Sequence, residues 1–142
     1  MKKVWLLLVV IAAAIGSGCN DPGTPTSSSD SATLPSTVVY TGTIRPHEAS
    51  FYSFTVGEAG SVRITLASVA PDGKVGALDE SLGVGVGTPA GFGCEMTQTT
   101  TVAPALTAQL VADLAAGVHC ANVFDAGALT EPLAFTIRII HP

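Results

Sequence analysis

Residues 49–68 read ASFYSFTVGEAGSVRITLAS, and the alternation in this stretch decides the fold class. Tyr52, Phe54 and Val56 fall on one side of an extended chain, with Ser53 and Thr55 on the other. After the break Gly57, Glu58, Ala59, Gly60 the alternation resumes, with Val62, Ile64 and Leu66 set against Arg63 and Thr65. A period of two belongs to a strand with one buried and one wet face, because successive side chains of a strand point to opposite faces. The Gly-flanked break between two such runs supplies the turn.

The same pattern extends outward in both directions. VVYTGTI at 38–44 is β-branched and aromatic, and Pro46 follows it. PDGK at 71–74 is a turn, with Pro71 preset for the first central position and Gly73 free to take a positive φ. At 81–89, SLGVGVGTP places Leu82, Val84 and Val86 opposite Gly83, Gly85 and Gly87. GVHCANVF at 117–124 and LAFTIRII at 133–140 follow, the latter with Phe135, Ile137 and Ile139 in step. Six or more short strands separated by turn signals predict an all-β domain, an antiparallel β-sandwich, over residues 37–142. Residues 103–117, APALTAQLVADLAAG, fit two templates. Leu106, Leu110 and Leu114 at a spacing of four, Pro104 near the start and Gly117 at the end suit a helix. A strand through Leu110 with a turn over 113–117 suits the same letters. The strand is expected, because a lone helix has no sheet face left to cover in a sandwich.

The chain opens MKKVWLLLVVIAAAIGSGC: two lysines, an unbroken apolar run from Val4 to Ile15, then small residues up to Cys19. That order is the three-part order of a secretory signal, and the run falls short of the roughly 20 apolar residues a membrane span needs. The small residue before Cys19 resembles the lipobox of bacterial lipoproteins, although Gly16 stands where that motif usually has leucine. The resemblance implies removal of residues 1–18, acylation of Cys19 with chains such as palmitate, and a protein held at the cell envelope. A cut near Gly18 without lipid, or an uncut anchor, are the alternatives. Two or three acyl chains hold a protein to a bilayer essentially permanently, at about 0.8 kcal/mol per buried methylene. Residues 20–36 are rich in Ser, Thr and Pro, with Leu34 their only large apolar side chain, so they read as a disordered tether.

Three cysteines in an exported chain leave an odd one to explain. Lipid on Cys19 leaves Cys94 and Cys120, which in an oxidising compartment are expected to form a disulfide. Two buried free thiols are the competing reading. Neither cysteine has the Cys-x-x-Cys spacing of a redox motif.

Loss of Lys2 and Lys3 with the signal leaves four basic residues against eleven acidic ones, a mature balance of −7. Such a surface disfavours nucleic acid and anionic lipid, which need basic patches. It leaves neutral glycans, proteins and cations as partners. His47, His119 and His141 are scattered singly, without the spacing of a transition-metal site. His47 and His141 are expected at the surface or in turns, and His119 in a sheet. The Gly-x-Ser-x-Gly elbow of hydrolases is missing from the sequence, and GVGVG lacks the strand-to-helix context of a dinucleotide fingerprint. Asp79 and Glu80 are adjacent, and adjacent strand residues face opposite ways, so they are not expected to act as an acid–base pair. No cofactor is expected.

FYSFTVGEAGSVRITL, with LAAGVHCANVFDAG and PLAFTIRI downstream, resembles the bacterial pre-peptidase C-terminal domain over roughly 40–140. That family shows an aromatic-x-Phe strand, a Gly turn, an alternating strand, an Ala-Gly turn into a strand ending in valine, and a closing aromatic-x-aliphatic strand. The resemblance implies a small jelly-roll-like sandwich that serves exported proteins as an accessory or binding module and is not itself catalytic. His119 stands where the family often has tyrosine, and LDESLGVGVG where it often has an Asp-x-Asp-Leu strand. Some members bind calcium through acidic residues near such positions. The resemblance therefore leaves calcium possible, although Asp79 and Glu80 alone do not supply the six to eight oxygens it takes. The expected role is therefore a tethered binding module for a glycan or protein partner. A passive structural lipoprotein, and a small envelope hydrolase or protease inhibitor, are the alternatives.

Overall fold

The computed structural model describes residues 34–74 and 76–142. The expected signal segment, Cys19 and the spacer through residue 33 lie outside the described residues. Eight strands run in the order β1 (Ser36–Ile44), β2 (Ala49–Val56), β3 (Gly60–Pro71), β4 (Leu82–Ala90), β5 (Gly93–Val102), β6 (Leu110–Leu114), β7 (Gly117–Phe124) and β8 (Leu133–His141). They form two four-stranded sheets, ordered β1-β8-β3-β6 and β2-β7-β4-β5, with every pairing antiparallel. The expected antiparallel β-sandwich is the observed fold.

Each apolar stripe read from the sequence turns inward. Val62, Ile64 and Leu66 of β3 and Phe135, Ile137 and Ile139 of β8 line one sheet. Phe54 and Val56, Val84 and Val86, and Ala121 and Val123 line the other. Register brings these stripes onto shared rungs: Ile137 lies between Tyr40 and Leu66, and Ile139 between Val38 and Ile64. Directly paired residues of an antiparallel ladder share a face, so a single inward residue commits its whole rung. A register shift between Leu66 and Ser68 places Val69 inward as well, with none of its surface exposed.

One open side of the sandwich is closed by two tyrosines. The rings of Tyr40 (β1) and Tyr52 (β2) stack at 4.6 Å. The Tyr40 hydroxyl donates to the Ser53 carbonyl at 2.6 Å, and that of Tyr52 to the Thr41 carbonyl at 3.4 Å. Each edge strand thus has a carbonyl covered by a side chain from the opposite sheet. Gly42 makes room for the arrangement, because a Cβ there would meet the Tyr52 hydroxyl and the Phe135 ring.

The other side is closed by residues 103–109, which lead from β5 in one sheet to β6 in the other. Here Gln109 behaves like a piece of strand. Its Oε1 accepts from the Leu66 N–H at 2.8 Å, and its Nε2 donates to the carbonyls of Leu66 (3.3 Å) and Ala103 (2.8 Å). Backbone bonds from Ala105 to the Leu66 carbonyl and from Gln109 to the Ile64 carbonyl complete the seam. Gln109→Leu strands a backbone donor whose side chain, Leu66, is fully buried, and the expected loss in urea-unfolding stability is about 1–3 kcal/mol. Gln109→Glu retains the acceptor for the Leu66 N–H but sets a carboxylate oxygen against the carbonyls of Leu66 and Ala103, and should also destabilise.

Four sequence expectations are corrected. Residues 103–116 are neither a helix nor a strand ending at Leu110. The strand begins at Leu110 and runs to Leu114, because Gln109 first bonds the edge of β3. β5, GCEMTQTTTV, was not expected as a strand; its single-sided Thr run lacks an apolar alternation because its inner face is only half covered. In the PDGK turn Pro71 occupies the first position, its carbonyl accepting from the Lys74 N–H at 3.1 Å, while Gly73 takes φ 67° as expected. His141 is no surface residue: β8 continues its inward alternation one rung further and leaves it 6% exposed.

Candidate binding surface

Inward commitment of Phe54, Val84, Ala121 and their neighbours fixes what the β2-β7-β4-β5 sheet turns outward. Register places Ala49, Phe51, Ser53 and Thr55 of β2 beside Phe124, Asn122, Cys120 and Val118 of β7. Gly83, Gly85 and Gly87 of β4 come next, then Thr101, Thr99 and Met96 of β5, with Cys94 beyond. These outward positions carry no charged side chain. Phe51 is 47% exposed and Val118 is 56% exposed.

The glycine stripe of β4 lies under its neighbours' side chains. A Cβ at Gly83 would meet the Phe124 ring, and one at Gly85 the Met96 sulfur. At Gly87 the obstacle is backbone, the carbonyl of Glu95 and the Cα of Met96 at 2.7 Å. The start of β5 therefore lies over the outer face of β4 at Gly87. That placement explains the disulfide. Cys94 of β5 and Cys120 of β7 are bonded, with their Cα atoms 5.9 Å apart, although β4 separates their strands in the sheet. Strands two places apart in a flat sheet are roughly 9.5 Å apart, beyond the usual disulfide span. Only the fold of β5 over a glycine brings the two cysteines together. Asn122 lies next to this bridge on β7, with its Oδ1 buried and unpartnered.

The remaining sequence candidates are dispersed. His119 and His141 both point into the core and flank the Phe54 ring, with centroids at 6.1 and 5.6 Å. His119 Nε2 bonds the Ala115 carbonyl at 2.8 Å, and its Nδ1 is buried without a partner. His47 is a turn residue with φ 61°. Asp79 and Glu80 lie in the loop before β4, not in a strand. Glu80 lines a hollow of about 230 Å³ together with Leu78, Leu129, Leu133 and Glu131. Among the described residues, no group of three or more His, Cys, Asp or Glu side chains is placed to hold a metal ion.

The sequence reading missed Asp125, which organises the loop end. Its Oδ2 accepts from the His47 N–H at 2.9 Å. Its Oδ1 accepts from Gly127, Ala128 and Leu129 at 2.7, 2.9 and 3.2 Å. One carboxylate thus ties the β1–β2 turn to the start of the β7–β8 loop. The signal was in DAG at 125–127, an Asx-turn pattern. The His47 N–H above all, and then the three loop N–H groups, hold its carboxyl down at about 2, against an ordinary 3.8. A depressed carboxyl contributes stability that is present above pH 3.8 and lost as pH falls through about 2. Acid titration followed by circular dichroism should show that loss, and Asp125→Asn should remove this part of the pH dependence while lowering stability at neutral pH.

No model of a known protein family matches the chain, and no curated protein matches it. Among the described residues, no helix is long and apolar enough to cross a membrane.

Proposed function

We propose that this chain is a lipid-anchored protein of a bacterial cell envelope whose β-sandwich is a non-catalytic binding module. Cys19 is the anchor, residues 20–36 are the spacer, and the outer face of the β2-β7-β4-β5 sheet meets the partner. The observation that carries the reading is that face: it has no charge on a chain of mature balance −7, and it exposes Phe51 and Val118 on either side of a disulfide. Exposed apolar side chains on a face without charge give a partner places to bury surface. The disulfide supports an address outside the cytoplasm, where such bonds persist. The sequence resemblance to the pre-peptidase C-terminal domain, read from its strand pattern alone, implies an accessory role. Without a tryptophan beyond Trp5, stacking on a sugar ring is the weaker mode, and a protein partner is favoured over a glycan.

Two measurements test the reading. Intact mass of the mature protein from membranes reports the cut before Cys19, its acyl chains and the disulfide. Co-purification from envelope extracts reports the face: Phe51→Asp with Val118→Asp should reduce partner recovery at least about tenfold, as expected where two exposed anchors are lost, with the disulfide intact. Recovery unchanged by the double substitution, together with no glycan bound on an array, would replace this reading with a passive structural lipoprotein.

A further inference from the structure

The turns at one end of the sandwich differ in charge from those at the other. β2–β3, β4–β5 and β6–β7 are joined by residues 57–59, 91–92 and 115–116, which read GEA, GF and AA, with Glu58 their only charged side chain. β1–β2, β3–β4 and β7–β8 are joined by residues 45–48, 72–81 and 125–132, which read RPHE, DGKVGALDES and DAGALTEP and carry eight charged side chains. Register keeps each set at its own end. Ser36 pairs with His141, Val56 with Gly117 and Gly60 with Leu114 at the sparse end, and Ile44 pairs with Leu133 at the charged one.

Phe92 stands at the tip of the sparse end and is wholly exposed, more so than any other large apolar residue described. The hairpin beneath it closes with Ala90 opposite Gly93, and Gly91 takes φ 56°. Cys94, two residues on, is bonded to Cys120, so the tip is pinned to β7 as well as to β4. A ring held out on a braced hairpin has little freedom left to lose when it binds. Leu34, also exposed, lies just before β1, which begins at this same end.

We infer that this end of the sandwich rests on the membrane that holds the chain, with Phe92 inserted among zwitterionic lipid headgroups. The inference rests on the acylation of Cys19 proposed above, and adds which end of the domain meets the bilayer. Two observations select a lipid surface. The first is where the chain arrives. Residues 20–33 lead from Cys19 to β1, and fourteen residues of this Ser/Thr/Pro-rich composition typically span about 20 Å. β1, with nine residues, is about 30 Å long. The sparse end is therefore within ordinary reach of the anchor, and the charged loops lie a strand's length further away. The second is charge. Side chains that enter a headgroup layer give up water, which is costly for every ionised group. The sparse end brings one such group in its turns and the other end eight. Glu58, with Glu95 and Asp113 on the strands behind it, repels anionic headgroups and leaves the zwitterionic ones. One ring partitions weakly by itself, and the anchor supplies the rest by holding it near the surface at an effective concentration in the millimolar range. The outer face of the β2-β7-β4-β5 sheet stays open to its partner in this orientation.

The test uses the full-length chain carrying Trp5→Phe, expressed in a bacterial host and reconstituted into vesicles of phosphatidylethanolamine and phosphatidylcholine. Phe92→Trp then places a single tryptophan at the tip, and Thr130→Trp, in the exposed loop at the far end, is the control. Phosphatidylcholine brominated high on its acyl chains should quench position 92 at least roughly threefold more than position 130, because an interfacial ring sits about 5–10 Å deep and the far loops about 30 Å away. Intact mass of each form reports the acyl chains and the disulfide. Acylated chains quenched equally at the two positions, or at neither, would overturn the inference and leave the anchor standing. Chains without acyl groups would remove the anchor and the inference with it. Emission at position 92 that shifts to the blue with an envelope extract but ignores brominated lipid would assign the tip to a protein partner, and would overturn the inference as well.

Discussion

Gly87→Val is expected to leave Cys94 and Cys120 as free thiols, countable by alkylation and mass, and to lower unfolding stability by about 3 kcal/mol or more. The disulfide accounts for about 3 kcal/mol alone, from the loop entropy of its 26-residue separation. The substitution removes it indirectly. A Cβ at Gly87 meets the Glu95 carbonyl and lies 2.7 Å from the Met96 Cα, and backbone cannot swing aside as a long side chain can. β5 must lift away from the outer face of β4, and Cys94 moves out of reach of Cys120. If the strand stays in place instead, the bridge is kept and strain costs about 1–3 kcal/mol. Cys94→Ser with Cys120→Ser is the informative comparison. It should cost about 3 kcal/mol while keeping β5 where it is. A Gly87→Val chain that still forms the bridge would show that β5 reaches β7 by another route.

Ile137→Ala should lower stability by about 2–5 kcal/mol in urea or thermal unfolding, the range for deleting a large buried aliphatic side chain. The position selects the upper part of that range. Ile137 has none of its surface exposed and sits on β8, an interior strand, between Tyr40 and Leu66 on the same face. Its neighbours belong to paired strands on both sides and cannot collapse into the space without breaking ladder bonds. Domains of this size hold about 5–15 kcal/mol in total, so a loss near the top of the range leaves a substantial unfolded fraction at physiological temperature. Ile140→Ala is the control. It belongs to the same strand and is only half-buried, facing outward beside Arg63, so its cost should be well below that of Ile137→Ala.

The fold class was legible because one face of each sheet meets water and the other meets the opposite sheet. That difference prints a period of two on β2, β3 and β8, and the inward residues named from the alternation are the ones that form the core. Where the inner face is only half covered, as on β5, selection for apolar residues is weak and the strand left no such print. Where a side chain stands in for backbone, as Gln109 does beside Leu66, the letters carry no periodicity at all. His141 was misjudged for a related reason: one further rung of a strand cannot be told from the start of a tail.

The proposed binding face divides along the same line. The sequence by itself determined the antiparallel sandwich, the pairing of Cys94 with Cys120 as the expected disulfide, and the acidic balance that makes an uncharged face distinctive. These follow from local periodicity, from parity and from composition, none of which needs long-range geometry. Only the tertiary structure decided that the disulfide crosses above β4 at Gly87, that Phe51 and Val118 share an outward face with it, and that Asp125 ties two loops through four N–H groups. Those depend on which strands become neighbours and on how far apart they lie, and that is settled by packing the two sheets against each other.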